Sequence, residues 1–460
     1  MIELLGLCGF GAQEMKLQLP RFKKVFNRLG ITAVDIERGK QRLIKYYDTE
    51  LQGVRKLLRL FVREMVNAVL AREEGKTKLI YAYMAPCFSM FAPALLSKSK
   101  EVFAIHHAWA FQTVLGCIFD KMVPVLEAAE RKWLKEGGVA HCSNVKSVAG
   151  LFILDMIPKP DLLITSGYLC ETAPKTLELM HELYDIPVWS YETCQDRELK
   201  DYSTATERIV MLAVKDLRSL IGRLEQVVGF EITDDMLRDS LDGRSKLKES
   251  LGKLRNVIEN SDPMPISATH DALYMALILM TLSLDELPDA VDAVDTLREE
   301  LQERVSKGQG AVKKGAPRVL AILPPNHTDP RLEHLVGELG IAIVGLDPAF
   351  VVPYEGKSED PYVAMALYVQ ESMFTPTPRR IPLILEGCRR LNVAGVIDRF
   401  HVGCRTVAGD ALVIRDAVKK ELGIPVLLLE WDNFDSRTFN YEQCKRRLEV
   451  FKTMLVNRPS

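Results

Sequence analysis

The sequence lacks several things, and each absence closes a class of function. No apolar run reaches membrane-spanning length, so no segment is expected to cross a bilayer as a helix. Neither sign of charge is in surplus: 60 Lys and Arg face 62 Asp and Glu, which leaves no global basic field to draw in nucleic acid. There is no Gly-x-x-x-x-Gly-Lys-Ser/Thr loop, so the chain is not expected to be its own P-loop ATPase. Gly6-Leu7-Cys8-Gly9-Phe10-Gly11 looks briefly like a dinucleotide loop but lacks the Gly-x-Gly-x-x-Gly spacing. Paired Cys-x-x-Cys knuckles are missing, which removes a zinc ribbon. The opening Met1-Ile2-Glu3-Leu4-Leu5 puts an acid where a signal peptide carries basic residues, and a cytoplasmic protein is expected. In that reducing compartment the nine cysteines are not expected to form a disulfide framework.

What is present is a long chain of strand–helix alternation. Its 460 residues exceed one ordinary core and predict two or three domains. Short β-rich runs are read at Ile31–Ile36, Lys78–Met84, Val102–Ile105, Asp161–Thr165 and Pro187–Tyr191, with a first strand before Cys8. Amphipathic stretches at Glu50–Arg72, Trp109–Leu134 and Pro174–Leu183 separate them. From Tyr202 to Lys307 strand signals vanish and charged helical periodicity takes over. Lys307–Gly315 reads as a flexible linker. A second alternation follows, with strands at Arg318–Leu323, Ile341–Leu346, Val393–Phe400 and Pro425–Glu430, and helices at Arg331–Gly340 and Tyr441–Leu455. The expected fold is α/β: two doubly wound parallel-sheet (Rossmann/flavodoxin-like) subdomains, 1–201 and 316–460, with a helical insertion at 202–310.

On this map six of the nine cysteines fall at strand-to-helix turns: Cys8, Cys87, Cys142, Cys170, Cys194 and Cys404. Cys117, Cys388 and Cys444 fall inside helices. Open α/β sheets bind ligands at the carboxyl ends of their strands, and a helix N-terminus favours thiolate over thiol. Soft thiolates select iron–sulfur clusters or zinc. A lone cysteine in such a protein is as often a small buried side chain. The functional reading rests on several meeting at one sheet edge.

Four stretches carry a resemblance. His141-Cys142-Ser143-Asn144-Val145-Lys146 resembles the Cys-Ser-x-x-Arg/Lys turn of the 2-hydroxyacyl-CoA dehydratase and benzoyl-CoA reductase subunit family. The run from Asp161 to Cys170 is similar to that family's apolar strand and second cysteine, and Arg399-Phe400-His401-Val402-Gly403-Cys404-Arg405 to its late Gly-Cys turn. Glu430-Trp431-Asp432-Asn433-Phe434-Asp435-Ser436-Arg437 resembles its terminal Asp-x-x-Asp-x-Arg segment. The family's early Pro-x-Glu-Leu turn is replaced here by Ala85-Pro86-Cys87-Phe88, without the Glu.

The resemblance implies an iron–sulfur cluster, four-iron with an eight-iron double cubane as the alternative, held by Cys142, Cys170 and Cys404, with Cys87 a further candidate ligand. It also implies a related partner subunit in a heterodimer, a separate ATP-dependent activator that delivers one electron, and an acyl-CoA thioester substrate. The implied reaction is radical dehydration or ring reduction, with a non-catalytic partner subunit as the alternative, and no catalytic residue is singled out. Ser143 and Asn144 are candidates to donate hydrogen bonds to the cluster; as residues opening a helix they are more readily a cap. His106-His107 is expected to face solvent, and Asp329 to cap the following helix. Glu430, Asp432, Asp435 and Arg437 are expected to form a salt-bridged turn.

Overall fold

The chain opens with helices. The computed structural model describes residues 1–135, 142–167, 170, 172–191, 202–322, 326–347, 358–372, 377–401, 403–404 and 408–457. In it α1 (Ile2–Leu7), α2 (Ala12–Arg28), α3 (Ala33–Tyr46) and α4 (Gln52–Leu70) precede any strand. The strand expected before Cys8 is α1, and Cys8 is its buried C-cap. The strand expected at Ile31–Ile36 is the entry to α3. There the Asp35 N–H donates to the Thr32 hydroxyl and the Thr32 N–H donates to the Asp35 carboxylate. That reciprocal capping box outweighs the local run of β-branched residues.

The first sheet follows: β1 (Lys78–Tyr83), α5 (Phe88–Lys98) and β2 (Val102–His106). The single helix expected over Trp109–Leu134 is divided into α6 (His107–Phe111), a π-helical turn (Gln112–Ile118) and α7 (Met122–Lys135). Asp120, with φ of 54°, lies at the break before α7 and cannot continue a right-handed helix. Then come α8 (Ser143–Ile153), β3 (Leu162–Thr165), α9 (Thr172–Tyr184) and β4 (Val188–Ser190). All pairings are parallel, in the order β2-β1-β3-β4.

The insertion is helical: α10 (Tyr202–Val228), α11 (Asp234–Asn260), α12 (Asp271–Leu279) and α13 (Leu287–Ser306). It grips the N-terminal helices. Gly53 lies against the Leu297 backbone, where any Cβ would collide. Glu300 accepts the Gln52 and Gly53 N–H groups at 2.8 and 2.9 Å, capping α4 from the insertion.

The second sheet contains β5 (Arg318–Ile322), α14 (Arg331–Glu338), β6 (Ala342–Leu346), α15 (Pro361–Ser372), α16 (Thr377–Arg390), β7 (Gly395–Asp398), α17 (Ala411–Leu422), β8 (Val426–Leu428) and α18 (Tyr441–Val456). Its order, β6-β5-β7-β8, repeats that of the first sheet, again wholly parallel. The protein is therefore a mixed α/β molecule with two four-stranded parallel sheets, and one continuous apolar core runs through both and through the insertion. Among the described residues no helix is long and apolar enough to cross a membrane.

Candidate cysteine site between the two sheets

In each sheet the crossovers reverse direction beside the central strand, between β1 and β3 and between β5 and β7. Ligands of open α/β sheets bind outside the carboxyl ends of strands at such switch points. At the first, Tyr83 and Thr165 end their strands in register with one another. Both are buried, and neither hydroxyl has a hydrogen-bond partner.

Three cysteines gather around Tyr83. Cys142 is the N-cap of α8. Cys170 follows β3, its sulfur 2.8 Å from the Thr172 hydroxyl. Cys404 follows β7, and its N–H closes a turn onto the His401 carbonyl at 3.0 Å. Burial pushes the Tyr83 hydroxyl well up, and charge on Cys142, Cys170, Cys404 and Asp432 pushes the same way. Cys142 is likewise driven up, first by burial and then by Cys170, Asp432 and Cys404, against an opposing Val145 N–H. The two sheets meet here: a Cβ on Gly403 would lie 2.6 Å from that of Cys142.

The terminal turn completes this contact. Asp432 accepts the Ser143 N–H at 2.9 Å, so the start of α8 is capped from 289 residues away. Its other oxygen accepts the Phe434 N–H at 3.0 Å. The cap expected from Ser143 or Asn144 is thus absent: the Ser143 hydroxyl is buried and unpartnered, and the Asn144 side-chain oxygen accepts from the Gln112 amide at 2.7 Å. Asp435 and Arg437 do form a salt-bridged turn, extended to Glu130 and Lys146. The Arg437 guanidinium holds Glu130 down at about 2.

The histidines are buried, contrary to the solvent-facing expectation. His106 and His107 lie behind the first sheet's edge, where desolvation depresses both to about 3. His327 is depressed to about 3 for the same reason and packs between Trp109 and Phe434. Asp329 accepts the Arg331 N–H at 3.1 Å and also binds its guanidinium, while Pro330 takes the N-cap position itself.

The remaining cysteines are placed differently. Cys87 is the buried N-cap of α5, and its thiol donates to the Met365 carbonyl of α15 at 3.5 Å. Cys8 is pushed up to about 12 by burial among the N-terminal helices. Cys194 and residues 138–141, the run just before Cys142, lie outside the described residues. Among the described residues no three His, Cys, Asp or Glu side chains are placed to hold a single metal ion.

The carboxyl edge of the second sheet is charged. Arg380 binds Asp347, just after β6, and Asp410, just before α17. Asp398, the last residue of β7, lies beside them with both oxygens buried and unpartnered. Burial lifts its carboxyl to about 7; Arg380 opposes this, and Asp410 and Asp347 add to it. Gly403 belongs to the Gly-Cys turn, whereas Tyr83 and Asp398 carry no local motif in the sequence. A polar residue ending an apolar strand is the signal that was available for Tyr83 and Asp398.

Residues 110–455 match the family described as 2-hydroxyglutaryl-CoA dehydratase, D-component. The chain belongs to that family. Its similar proteins include a benzoyl-CoA reductase subunit of Thauera aromatica, 24% identical over 318 residues covering 66% of this chain and 72% of that one. The (R)-phenyllactyl-CoA dehydratase alpha subunit of Clostridium sporogenes is 22% identical over 316 residues, 65% of this chain and 72% of its own. The lactoyl-CoA dehydratase alpha subunit of Anaerotignum propionicum is 22% identical over 305 residues, 65% and 70%. All three cysteines around Tyr83 fall inside the matched segment.

Proposed function

We propose that this dehydratase-family chain is the iron–sulfur subunit of an enzyme acting on acyl-CoA thioesters, either a 2-hydroxyacyl-CoA dehydratase or a benzoyl-CoA reductase-type enzyme. One observation carries the reading: the turn that bears Cys404 in the second sheet lies against Cys142 of the first, and the charge of Cys142, Cys170 and Cys404 reaches one buried tyrosine hydroxyl. The donor set fits a cluster. Its sulfurs suit soft iron, and a polynuclear cluster spreads its ligands where a single ion would draw them together. The unpartnered hydroxyls of Tyr83, Thr165 and Ser143 supply donors beside it. Cys142, Cys170 and Cys404 would hold the group. Cys87 is left out of the set because its thiol is turned to the α15 backbone. When bound, the group would supply a low-potential electron to a substrate thioester.

The chain's own residues prepare the place. Asp432 fixes the first turn of α8 and with it Cys142. Gly403 allows the Cys404 turn to approach Cys142. Trp109, His327 and Phe434 pack against one another, and Phe434 packs in turn against His401, three residues before Cys404. The reading includes a related second subunit, as the subunit names of the relatives suggest, and an ATP-dependent activator in the cytoplasm.

The test is iron and acid-labile sulfide per chain after anaerobic purification, on the intact protein and on Cys142→Ser, Cys170→Ser and Cys404→Ser. About four irons per chain, lost from each variant, is expected. About eight would point to the double-cubane branch. An intact chain without iron would end the cluster reading and leave the family membership standing.

A further inference from the structure

His401 lies three residues before Cys404 and forms a parallel bridge with Trp431. Its ring is tied down on one side. The Asn433 N–H donates to Nδ1 at 3.1 Å. A nitrogen that accepts a backbone N–H carries no proton, so the ring is the neutral tautomer with its proton on Nε2. Asp432 does not reverse this. Its Oδ1 is 3.5 Å from Nδ1, beyond hydrogen-bond length for a charge-assisted pair, and already accepts the Phe434 N–H. Phe434 packs edge-on to the imidazole, with ring centroids 5.7 Å apart.

The other side of the ring has no partner. Nε2 is buried and unbonded, on a residue 2% exposed. Leaving such a donor unmet costs about 1–3 kcal/mol, so a rigidly held one calls for an acceptor. Trp431, directly across the bridge, projects to the same side of the ladder. Its indole N–H is also buried and unpartnered. Two buried N–H donors therefore stand unmet on this ladder, and His401 adjoins the cysteine site through its backbone and through Nδ1: its carbonyl accepts the Cys404 N–H at 3.0 Å, and the Asp432 carboxylate beside Nδ1 caps α8 next to Cys142.

We infer that His401, held in the Nε2–H tautomer by the Asn433 N–H, donates a hydrogen bond to an electron-rich acceptor bound at the cysteine site. The acceptor is either a sulfur of the bound group or the carbonyl oxygen of an acyl thioester. The inference deepens the function proposed above and rests on it for the acceptor, though not for the tautomer.

The first arm uses the full chain without iron, labelled with ¹⁵N-histidine, at neutral pH. Nitrogen–proton correlation spectra, with the His401 signals assigned by their loss in His401→Gln, are expected to show Nδ1 bare and Nε2 protonated. A proton on Nδ1, or on both nitrogens, overturns the inference. The second arm compares wild type, His401→Phe and His401→Gln after reconstitution with iron and sulfide. Gln can return an N–H near the Nε2 position and Phe cannot. If the acceptor is a sulfur, the Phe variant has a more negative midpoint potential and Gln restores it. If it is the thioester, Phe weakens benzoyl-CoA or lactoyl-CoA binding by calorimetry about tenfold, the worth of one such bond, and Gln recovers most of it. No change in either quantity, or no recovery with Gln, overturns the donor role. A chain that takes up no iron but keeps the tautomer and the affinity loss would remove the cluster reading and leave this donor in place.

Discussion

Thr165 and Asp398 are the last residues of equivalent strands in two sheets of the same order, and they meet opposite surroundings. Around Thr165 the strand ends themselves are neutral: Tyr83, His106 and His107 are buried beside aromatic rings, and burial keeps both histidines uncharged. Around Asp398 the edge is ionic, with Arg380 between Asp347 and Asp410, and Arg399 on Glu333. One scaffold thus presents two dielectric situations at two switch points. The ionic edge fastens the segments after β6 and before α17 to α16, while Cys142, Cys170 and Cys404 collect toward the neutral edge. A repeated topology fixes where a site can lie, and the terminal residues of the strands decide what it can hold.

Four substitutions break or sharpen this contrast, in order of decreasing effect. Arg380→Met should be the most damaging. It leaves Asp347 and Asp410 buried without their cation, and urea unfolding should report a loss of about 3–5 kcal/mol. A loss below 1 kcal/mol would show that the ionic edge is not held together by this residue. Asp398→Asn should act in the opposite direction. The Asp398 carboxyl, lifted to about 7, keeps its proton in the folded chain over a range where the unfolded chain has released it. Its contribution therefore favours the folded chain at low pH, declines from about pH 4 to 7, and is flat above. Asn removes that decline without breaking a hydrogen bond, so at pH 8 the variant should be about 2–4 kcal/mol more stable. Asp271 and Glu64, lifted by burial to about 7 and about 8, keep a residual slope of the same sign. Equal slopes for variant and wild type across pH 4–7 would count against a protonated Asp398.

Gly403→Ala tests the junction of the sheets. Its methyl would press on Cys142, and a loss of about 1–3 kcal/mol is expected together with reduced iron uptake. Full iron content with unchanged stability would mean that the junction yields. Thr165→Val should be the mildest. It deletes an unpartnered buried hydroxyl and keeps the shape, so the iron-free chain should gain up to about 1 kcal/mol in thermal unfolding. A loss instead would mean that the neutral edge already satisfies this hydroxyl.

The sheets were legible because buried parallel strands write themselves as short apolar runs bounded by turns, and β1, β2, β3, β5 and β6 fall where those runs lie. The N-terminal helices were less so. Ile31, Thr32, Val34 and Ile36 look like a strand, and the decisive signal was the Thr32-x-x-Asp35 capping box. The neighbourhood of Cys142 was half legible. Cysteines near strand ends could be counted, yet the cap on α8 comes from Asp432 and the close approach from Gly403, partners hundreds of residues distant. The burial of His106 and His107 depends on the helices stacked over the edge, which no local pattern records.

Glu300 has a further consequence, one of timing. The first turn of α4 has its N–H groups answered by a carboxylate 247 residues further along. The same stretch sends Asp292 to Lys56 and Arg304 to Asp48. As the chain leaves the ribosome, α4 must wait, its leading end unanswered and its Leu297-facing side bare, until α13 has been made. Domains commonly fold in the order of their synthesis. Here the earliest helices and the middle of the chain mature together, so a nascent chain stopped after β4 should be protease-sensitive in α4, and one extended past Ser306 should not.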